Sequence, residues 1–257
     1  MEEKKQFGRR RQRRRRRSWP LLLLPVVLVL CLAAAYWISG YTFPQEPAVE
    51  YPLQKIPVTV TGAPQDGEPA AEPESAAMPW YLTLVNRWNP LPKTYEITLA
   101  EIPGGEKVDE RIYEPLMEML EEAKEDNWDQ LPMVVSGYRT SEKQKSLYND
   151  KIREYQKQGY SVEEAAEMAK EWVAAPGYSE HQLGFAVDIN GATYDLYFWL
   201  QENSYKYGFI FRYPGSKTDI TGTAEEVWHY RYVGKEAAAE IYEQQICLEE
   251  YLERIKE

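Results

Sequence analysis

The chain has only two cysteines and two histidines among its 257 residues. Cys31 lies in a long apolar segment near the N-terminus and Cys247 lies near the C-terminus, so we do not expect the two thiols to pair. A fold stapled by disulfides is therefore excluded. The region that follows the apolar segment must be stable through an ordinary hydrophobic core, and it is long enough to form one.

Positive charge is scarce after the first twenty residues. Those residues carry ten basic and two acidic side chains, a net charge of +8, so the remainder of a chain of net charge −11 carries −19. Nucleic-acid binding depends on contacts of Lys and Arg with phosphates. We therefore predict no nucleic-acid partner, and we interpret the basic segment 1–18 as a targeting signal.

An uncharged and almost wholly apolar stretch runs from Trp19 to Ile38. About twenty helical residues span the hydrocarbon core of a bilayer, and flanking arginines stay on the cytoplasmic side. The sequence thus predicts a cytoplasmic segment 1–18 and a transmembrane anchor 19–39, with the rest of the chain outside the membrane. The alternative is a secretory signal cleaved at Ala33–Ala35, although the apolar stretch is long for such a signal.

Residues 40–79 are rich in proline and glutamate. A segment of this composition buries too little apolar surface to fold, so it is predicted to be a flexible linker that tethers the domain to the membrane. The stretch "PVTVTG" inside it is typical of a short strand, but it has no obvious partner. The composition becomes globular at Trp80, and 80–257 is predicted to be the functional domain.

The order of the predicted elements in this domain indicates an α+β fold. Helical patterns come early and strand patterns come late, which disfavours a doubly wound sheet. The predicted helices cover 108–124, 141–158, a segment capped by Ser161 and Glu164, 194–203, and 235–255 in two pieces. The predicted strands are "YLTLVN", "PMVVSGYR", "LGFAVDIN", "GFIFRY" and "EEVWHYRYV".

Both histidines lie in or beside the late strand patterns. In "GFAVDI" the large apolar side chains share one face, and Asp188 shares the other face with small residues. A buried carboxylate without a partner is costly, and a metal ion held by His181, Asp188 and His229 would supply one. Two imidazoles and one carboxylate suit Zn²⁺ with a fourth position open for water. The ordinary alternative is that each histidine is a core or surface residue.

Glu226 precedes His229 by three residues and is a candidate general base, with the adjacent Glu225 as a second candidate. In a regular strand, residues 226 and 229 point to opposite faces. Either a bulge lies near Val227, or the strand begins after Glu226. The alternative reading of Glu226 is a solvated surface carboxylate.

Three ordered motifs resemble the VanY-type D-alanyl-D-alanine carboxypeptidases, which are zinc peptidases with a Hedgehog-like fold. They are "SGYRT" at 136–140, "SEHQLGFAVDI" at 179–189 and "EVWHYRYVG" at 226–234. The resemblance covers about residues 80–255. It implies a small antiparallel sheet with helices packed on one side, a zinc site at the sheet, and one Zn²⁺ per chain.

The resemblance also implies roles for three further residues. Arg139 matches an arginine that stabilises the negative charge developing on the scissile carbonyl oxygen. Ser179 and Gln144 match positions that contact the terminal carboxylate of the substrate. The alternatives are a structural salt bridge for Arg139, a turn serine for Ser179 and an exposed helix residue for Gln144.

The activity implied by the resemblance is hydrolysis of the C-terminal D-alanine from peptidoglycan stem peptides, outside a bacterial cell membrane. Three alternatives stay open: an L,D-carboxypeptidase that trims tetrapeptide stems, a D,D-dipeptidase, and a non-catalytic zinc-binding module that recognises the cell wall. The presence of both Glu226 and Arg139 argues against the last, because a binding module needs neither.

Overall fold

Two small antiparallel sheets and the helices around them make up the part of the chain that this computed structural model describes, residues 56–61, 78–127 and 131–256. The basic segment 1–18 and the predicted anchor 19–39 lie outside those residues. Within the described ranges, no helix combines the length and the apolar character needed to cross a membrane.

The regular elements are numbered here in chain order. The described strands are β1 Ile56–Thr61, β2 Thr94–Glu101, β3 Lys107–Asp109, β4 Met133–Ser136, β5 Ala186–Asn190, β6 Phe209–Phe211 and β7 His229–Tyr232. The described α-helices are α1 Tyr113–Asp126, α2 Ser141–Lys157, α3 Val162–Ala169, α4 Asp195–Asn203, α5 Thr218–Thr221, α6 Lys235–Gln244 and α7 Leu248–Arg254. Short 3-10 turns, among them Trp80–Leu82 and Glu180–Leu183, connect them.

The four-stranded sheet has the order β4-β5-β7-β6, and each neighbouring pair is antiparallel. Its two faces differ because side chains alternate along a strand. One face carries Val187, Ile189 and Tyr230, which pack with α1 and α4 in the main core. The opposite face carries Asp188 and His229, which lie directly opposite each other on β5 and β7.

Helices cover both faces of this sheet, so the expectation of helices on one side only is wrong, although the α+β class is confirmed. Phe209 and Phe211 of β6 pack into the main core, and Ile210 between them points the other way. There Ile210 packs in a second apolar cluster with Ile241 of α6 and Leu248 of α7. These two helices therefore cover the β6 end of the face that carries the polar residues.

The second sheet has the order β1-β2-β3, and β2 is its centre. Strand β1 pairs with β2 along its whole length, with Ile56 opposite Leu99. The strand pattern inside the predicted linker 40–79 is therefore not isolated, because β2 supplies its partner. Strands β2 and β3 were not predicted, and Val108, which the sequence assigned to a helix, lies in β3.

Most other predicted elements are confirmed, with shorter bounds. Helix α3 begins with the expected capping box, in which Ser161 and Glu164 each accept a hydrogen bond from the other's backbone N–H. The predicted strand "YLTLVN" is instead the 3-10 turn Trp80–Leu82 followed by irregular chain. Its buried residues Leu82 and Val85 are three apart, a spacing that suits a helical turn and not a strand.

Strand β3 forms backbone hydrogen bonds with two segments of the site, one just after His181 and one just before Arg139. Gly184 has a φ of +76°, and its carbonyl accepts a hydrogen bond of 3.0 Å from the Asp109 N–H. A Cβ at Gly184 would lie 2.5 Å from Cδ1 of Ile97, so only glycine fits. On the other side, the Tyr138 N–H donates to the Lys107 carbonyl at 2.6 Å.

Candidate active site

His181, Asp188 and His229 come together on the polar face of the four-stranded sheet, and all three are buried. Asp188 Oδ1 lies 3.3 Å from His181 Nε2 and 3.0 Å from His229 Nδ1. One potential ligand atom from each residue lies within 4.8 Å of the other two. The pairing of β5 with β7 sets Asp188 opposite His229, and the turn Glu180–Leu183 brings in His181.

Neighbouring acceptors orient both imidazoles. His181 Nδ1 lies 2.8 Å from the Gly137 carbonyl, which can only accept, so Nδ1 carries the hydrogen and Nε2 keeps its lone pair. His229 Nε2 lies 3.4 Å from Oε2 of Glu180, so Nε2 carries a hydrogen and Nδ1 is the nitrogen that faces Asp188. A Cβ at Gly137 would lie 2.2 Å from the Lys107 carbonyl oxygen, so glycine is required for this approach.

These three residues fit a zinc ion. A tetrahedral ion with bonds of about 2.0–2.2 Å holds adjacent ligand atoms about 3.3–3.5 Å apart. The observed separations of 3.3 Å and 3.0 Å are close to that range. Outer carbonyl and carboxylate groups that accept from the far nitrogen of each histidine are the usual surroundings of zinc ligands.

The electrostatics of the site favour positive charge. Burial alone would raise the pKa of Asp188, but the two histidines hold it well below its ordinary value. Burial also works against protonation of His229, yet its hydrogen bonds with Asp188 and Glu180 raise its pKa to about 9. The carboxylates that favour a proton on His229 would equally stabilise a divalent cation at the same place.

Arg139 lies just beyond β4 and joins the ligand Asp188 to the cleft. Its Nη2 donates to Asp188 Oδ2, and its Nε donates to Ser136 Oγ at 2.8 Å. The Arg139 N–H donates to the His181 carbonyl at 3.1 Å. Arg139 therefore forms a salt bridge, as one interpretation of its sequence position predicted. It also lines the cleft, as the other interpretation, stabilisation of the charge on the scissile carbonyl oxygen, requires.

Glu226 lies beside the candidate ligands in the turn that leads into β7. The His229 N–H donates to the Glu226 carbonyl at 3.0 Å, and the strand begins only at His229. Of the two predicted geometries, the one in which the strand begins after Glu226 is therefore correct, and no bulge is needed. Glu226 Oε2 lies 3.6 Å from His229 Nδ1, and burial raises the pKa of Glu226 to about 7. Glu225 is exposed and accepts a hydrogen bond from the Gly215 N–H.

Ser179 and Gln144 both line the cleft and are both buried. The interpretation of Gln144 as an exposed helix residue is wrong, because none of its surface is accessible. Its Nε2 donates to the Ala174 carbonyl at 2.7 Å, while its buried Oε1 has no hydrogen-bond partner in the described part of the chain. The free atom of Gln144 is thus an acceptor, which suits an N–H of a bound molecule.

The cleft above these residues has a volume of about 350 Å³. Its outer wall is formed by α2, including Asp150 and Lys151, and by the segment that follows α3, including Trp172. Residues between 150 and 176 therefore border the site. Lys151 Nζ lies 5.6 Å from the centre of the Trp172 ring and pairs with Glu154 at 3.1 Å.

Sequence reasoning missed a group of buried charged residues behind His229. It comprises Glu180, Arg212, Arg231 and Glu249, the first three of which have at most 2% of their surface exposed. Two signals were available: an arginine inside the apolar run "GFIFRY" and another inside "HYRYV". Arginine is seldom fully buried without a partner, so each of these positions indicated a buried carboxylate nearby.

Comparisons with known proteins agree with this geometry. The sequence model of the VanY family, described as D-alanyl-D-alanine carboxypeptidase, matches residues 105–235. A D-alanyl-D-alanine carboxypeptidase of Enterococcus faecalis is 46% identical over 213 residues, which cover 78% of this chain and 79% of that protein. A putative carboxypeptidase of Bacillus subtilis is 39% identical over 197 residues, which cover 68% of each.

Solved structures of peptidases are also similar to this chain. VanYB in complex with D-alanine-D-alanine is 50% identical with a TM-score of 0.65, and the match covers 68% of this chain and 98% of that one. A D,D-pentapeptidase VanY mutant in complex with Zn(II) is equally similar, and the match covers 99% of that chain. The LD-carboxypeptidase LdcB is 36% identical with a TM-score of 0.57, over 67% of this chain and 86% of LdcB.

The ligand assignment predicts the metal content of the purified protein. The wild-type chain should hold about one zinc ion, and His181→Ala and His229→Ala should each lose it, because each removes one of three protein ligands. Elemental analysis after desalting measures this. Glu225→Gln is the control, since it removes an exposed carboxylate near the site, and it should keep the zinc. Full zinc content in His229→Ala would refute the ligand set.

Proposed function

Because the chain belongs to the VanY family of D-alanyl-D-alanine carboxypeptidases, we propose that its cleft hydrolyses the bond before the C-terminal D-alanine of peptidoglycan stem peptides. The observation that supports this most directly is the convergence of His181, Asp188 and His229 with Glu226 and Arg139 in one cleft. A zinc site, a buried carboxylate and a fixed cation are the groups that hydrolysis of an amide requires.

Zinc held by His181, Asp188 and His229 would supply Lewis acidity and lower the pKa of a water molecule. Glu226 takes the proton of the attacking water and transfers it to the nitrogen of the departing D-alanine, which leaves as a free amine. Its Oε2 is placed for this, 3.6 Å from Nδ1 of His229, and the Glu226 side chain is buried.

Arg139 stabilises the negative charge that develops on the carbonyl oxygen as water attacks. Within the described residues its Nε and Nη2 are engaged with Ser136 and Asp188, and the donors of Nη1 remain for a substrate oxygen. Ser179 and Gln144 are the candidates for contacts with the C-terminal residue of the substrate. The hydroxyl of Ser179 suits the carboxylate, and the free Oε1 of Gln144 suits an N–H.

The role of Glu226 predicts a selective loss of turnover. Glu226→Gln keeps the shape of the side chain but cannot accept the proton, so kcat should fall by about 10²–10⁴-fold while zinc stays bound. Glu225→Gln is the matched control and should retain nearly full activity, because Glu225 is exposed and bonded to Gly215. Equal losses in the two variants would contradict the choice of base. Full activity in Glu226→Gln would show that Glu226 is not the base, whereas a wild-type chain without activity would favour a wall-binding module.

A second candidate activity is that of an LD-carboxypeptidase, which the likeness to LdcB supports. Both kinds of substrate end in D-alanine, and they differ one residue inward. A D,D substrate has a methyl group there, and an L,D substrate has a long side chain of opposite hand. A clash with the pocket wall or an unpaired buried polar group discriminates such substrates more strongly than a change of one methylene.

The choice between these activities predicts different products. A pentapeptide stem, a tetrapeptide stem and free D-alanyl-D-alanine are incubated with the enzyme at equal concentrations and followed by mass spectrometry. We expect the pentapeptide to lose one alanine and the reaction to stop at the tetrapeptide. Conversion of tetrapeptide to tripeptide while the pentapeptide persists would instead identify an LD-carboxypeptidase. Cleavage of the free dipeptide alone would identify a D,D-dipeptidase.

We also propose that residues 19–39 anchor the enzyme in the bacterial cell membrane by a single span, with the catalytic domain outside. The support is the basic segment 1–18, which precedes an uncharged apolar stretch of spanning length. An external site of this kind is next to the cell wall, where stem peptides are found.

This orientation predicts that protease added to intact protoplasts releases the domain. Cleavage should fall within 40–79 but outside β1, because paired strands resist proteolysis better than irregular chain does. Immunoblotting of the supernatant measures the released domain, and a cytoplasmic protein serves as the control for lysis. A domain that is protected until the membrane is disrupted would show that the orientation is wrong.

A further inference from the structure

A chain of ion pairs runs from the C-terminal helix α7 to the candidate metal ligand His229. Arg212, at the end of β6, donates from Nη1 and Nη2 to the two oxygens of Glu249 at 2.9 Å and 2.7 Å. The same guanidinium donates from Nε to Oε1 of Glu180 at 2.8 Å. The other oxygen of Glu180 lies 3.4 Å from His229 Nε2. One arginine thus joins the helix to the group that orients the ligand.

The geometry leaves Glu180 little freedom. Its Oε1 is held by Arg212 and lies 3.4 Å from Nη1 of Arg231, while its Oε2 faces His229. The Arg231 guanidinium is itself fixed by the carbonyls of Tyr81, Thr83 and Tyr232. The position of Glu180 therefore depends most on Arg212, because Arg212 donates a hydrogen bond of 2.8 Å to it and Nη1 of Arg231 makes only the longer contact.

Arg212 in turn depends on Glu249. The bidentate pair between them uses four atoms in a fixed arrangement, which sets the plane of the guanidinium as well as its position. Asn86 Nδ2 donates to Glu249 Oε1 at 3.0 Å and holds the carboxylate from the other side. Without the charge of Glu249, a fully buried arginine would be left with one carboxylate shared with Arg231, and it would shift toward that carboxylate.

We propose that Glu249, Arg212 and Glu180 are positioning residues of the metal centre, so that helix α7 sets the orientation of His229 and with it the affinity for the metal. The proposal rests on the zinc site of the proposed function. Glu249 lies outside residues 105–235, the part of the chain matched by the family model, and 20 positions after His229 along the chain. Groups that orient a metal ligand from behind commonly contribute about 10–100-fold to metal affinity.

The test measures metal binding directly on the full-length chain in detergent. Metal is removed with a chelator, and Co²⁺ is titrated back in competition with a chelator of known affinity while the visible absorption bands of the bound Co²⁺ are recorded. Glu249→Gln should bind Co²⁺ about 10–100-fold more weakly than wild type, with shifted bands, because His229 is no longer held in place. Glu253→Gln, an exposed change on the same helix, is the matched control and should match wild type.

Two further variants keep the result interpretable. Glu180→Gln should weaken Co²⁺ binding at least as much as Glu249→Gln, and Arg212→Lys should weaken it too, because lysine keeps the charge and loses the bidentate fork. The thermal stability of each metal-free protein is measured alongside. A Glu249→Gln protein that is less stable but binds Co²⁺ with wild-type affinity and spectrum would overturn the proposal, since the pair would then only hold the helix.

The same experiment separates this proposal from the proposed function. A wild-type chain that binds Co²⁺ at His181, Asp188 and His229 but hydrolyses no D-alanine peptide would refute the activity, and the affinities of the variants would still decide the proposal. A wild-type chain that binds no Co²⁺ would refute both.

Discussion

The pairing of Asp188 with His229 across β5 and β7 is the contact on which the rest of the site depends. It puts a carboxylate and an imidazole on the same face of a sheet whose other face packs in the main hydrophobic core. A one-residue slip of β5 against β7 would turn one of these side chains into the core and bring Val187 or Tyr230 to the cleft in its place. The main core therefore stabilises the fold and also holds the site in register, because burial of the apolar face permits only one pairing.

Much of this arrangement could be predicted from the sequence, because side chains alternate between the two faces of a strand. The pattern around Asp188 showed which face was apolar, and the scarcity of histidine left few candidate ligands. The position of Glu226 was open between two geometries, because a turn and a bulge have similar sequence signatures. The position of Gln144 inside the cleft could not be read from a polar helix pattern, because its burial depends on the segment at Ala174, 30 residues away.

The features that the sequence did not reveal depend on long-range pairing. Strand β1 reads as an isolated strand until β2 is recognised, and β2 itself has a pattern interrupted by charged residues. The contacts of the buried cluster behind His229 join residues that are between 32 and 51 positions apart, such as Arg212 with Glu180 and Arg231 with Glu180. The two arginines lie in apolar runs, but Glu180 and Glu249 look like surface residues when each is taken alone, and only neutralisation by the arginines makes the burial of Glu180 tolerable.

The two backbone hydrogen bonds from β3 couple the opening of the site to the fraying of this strand. One joins Asp109 to Gly184 after the His181 turn, and the other joins Lys107 to Tyr138 before Arg139. A fluctuation that moves the His181 turn or the segment before Arg139 away from β3 breaks one of these hydrogen bonds. Opening of the site and fraying of β3 thus belong to one cooperative unit, which native-state hydrogen exchange at Asp109 and Tyr138 can detect as a shared opening free energy.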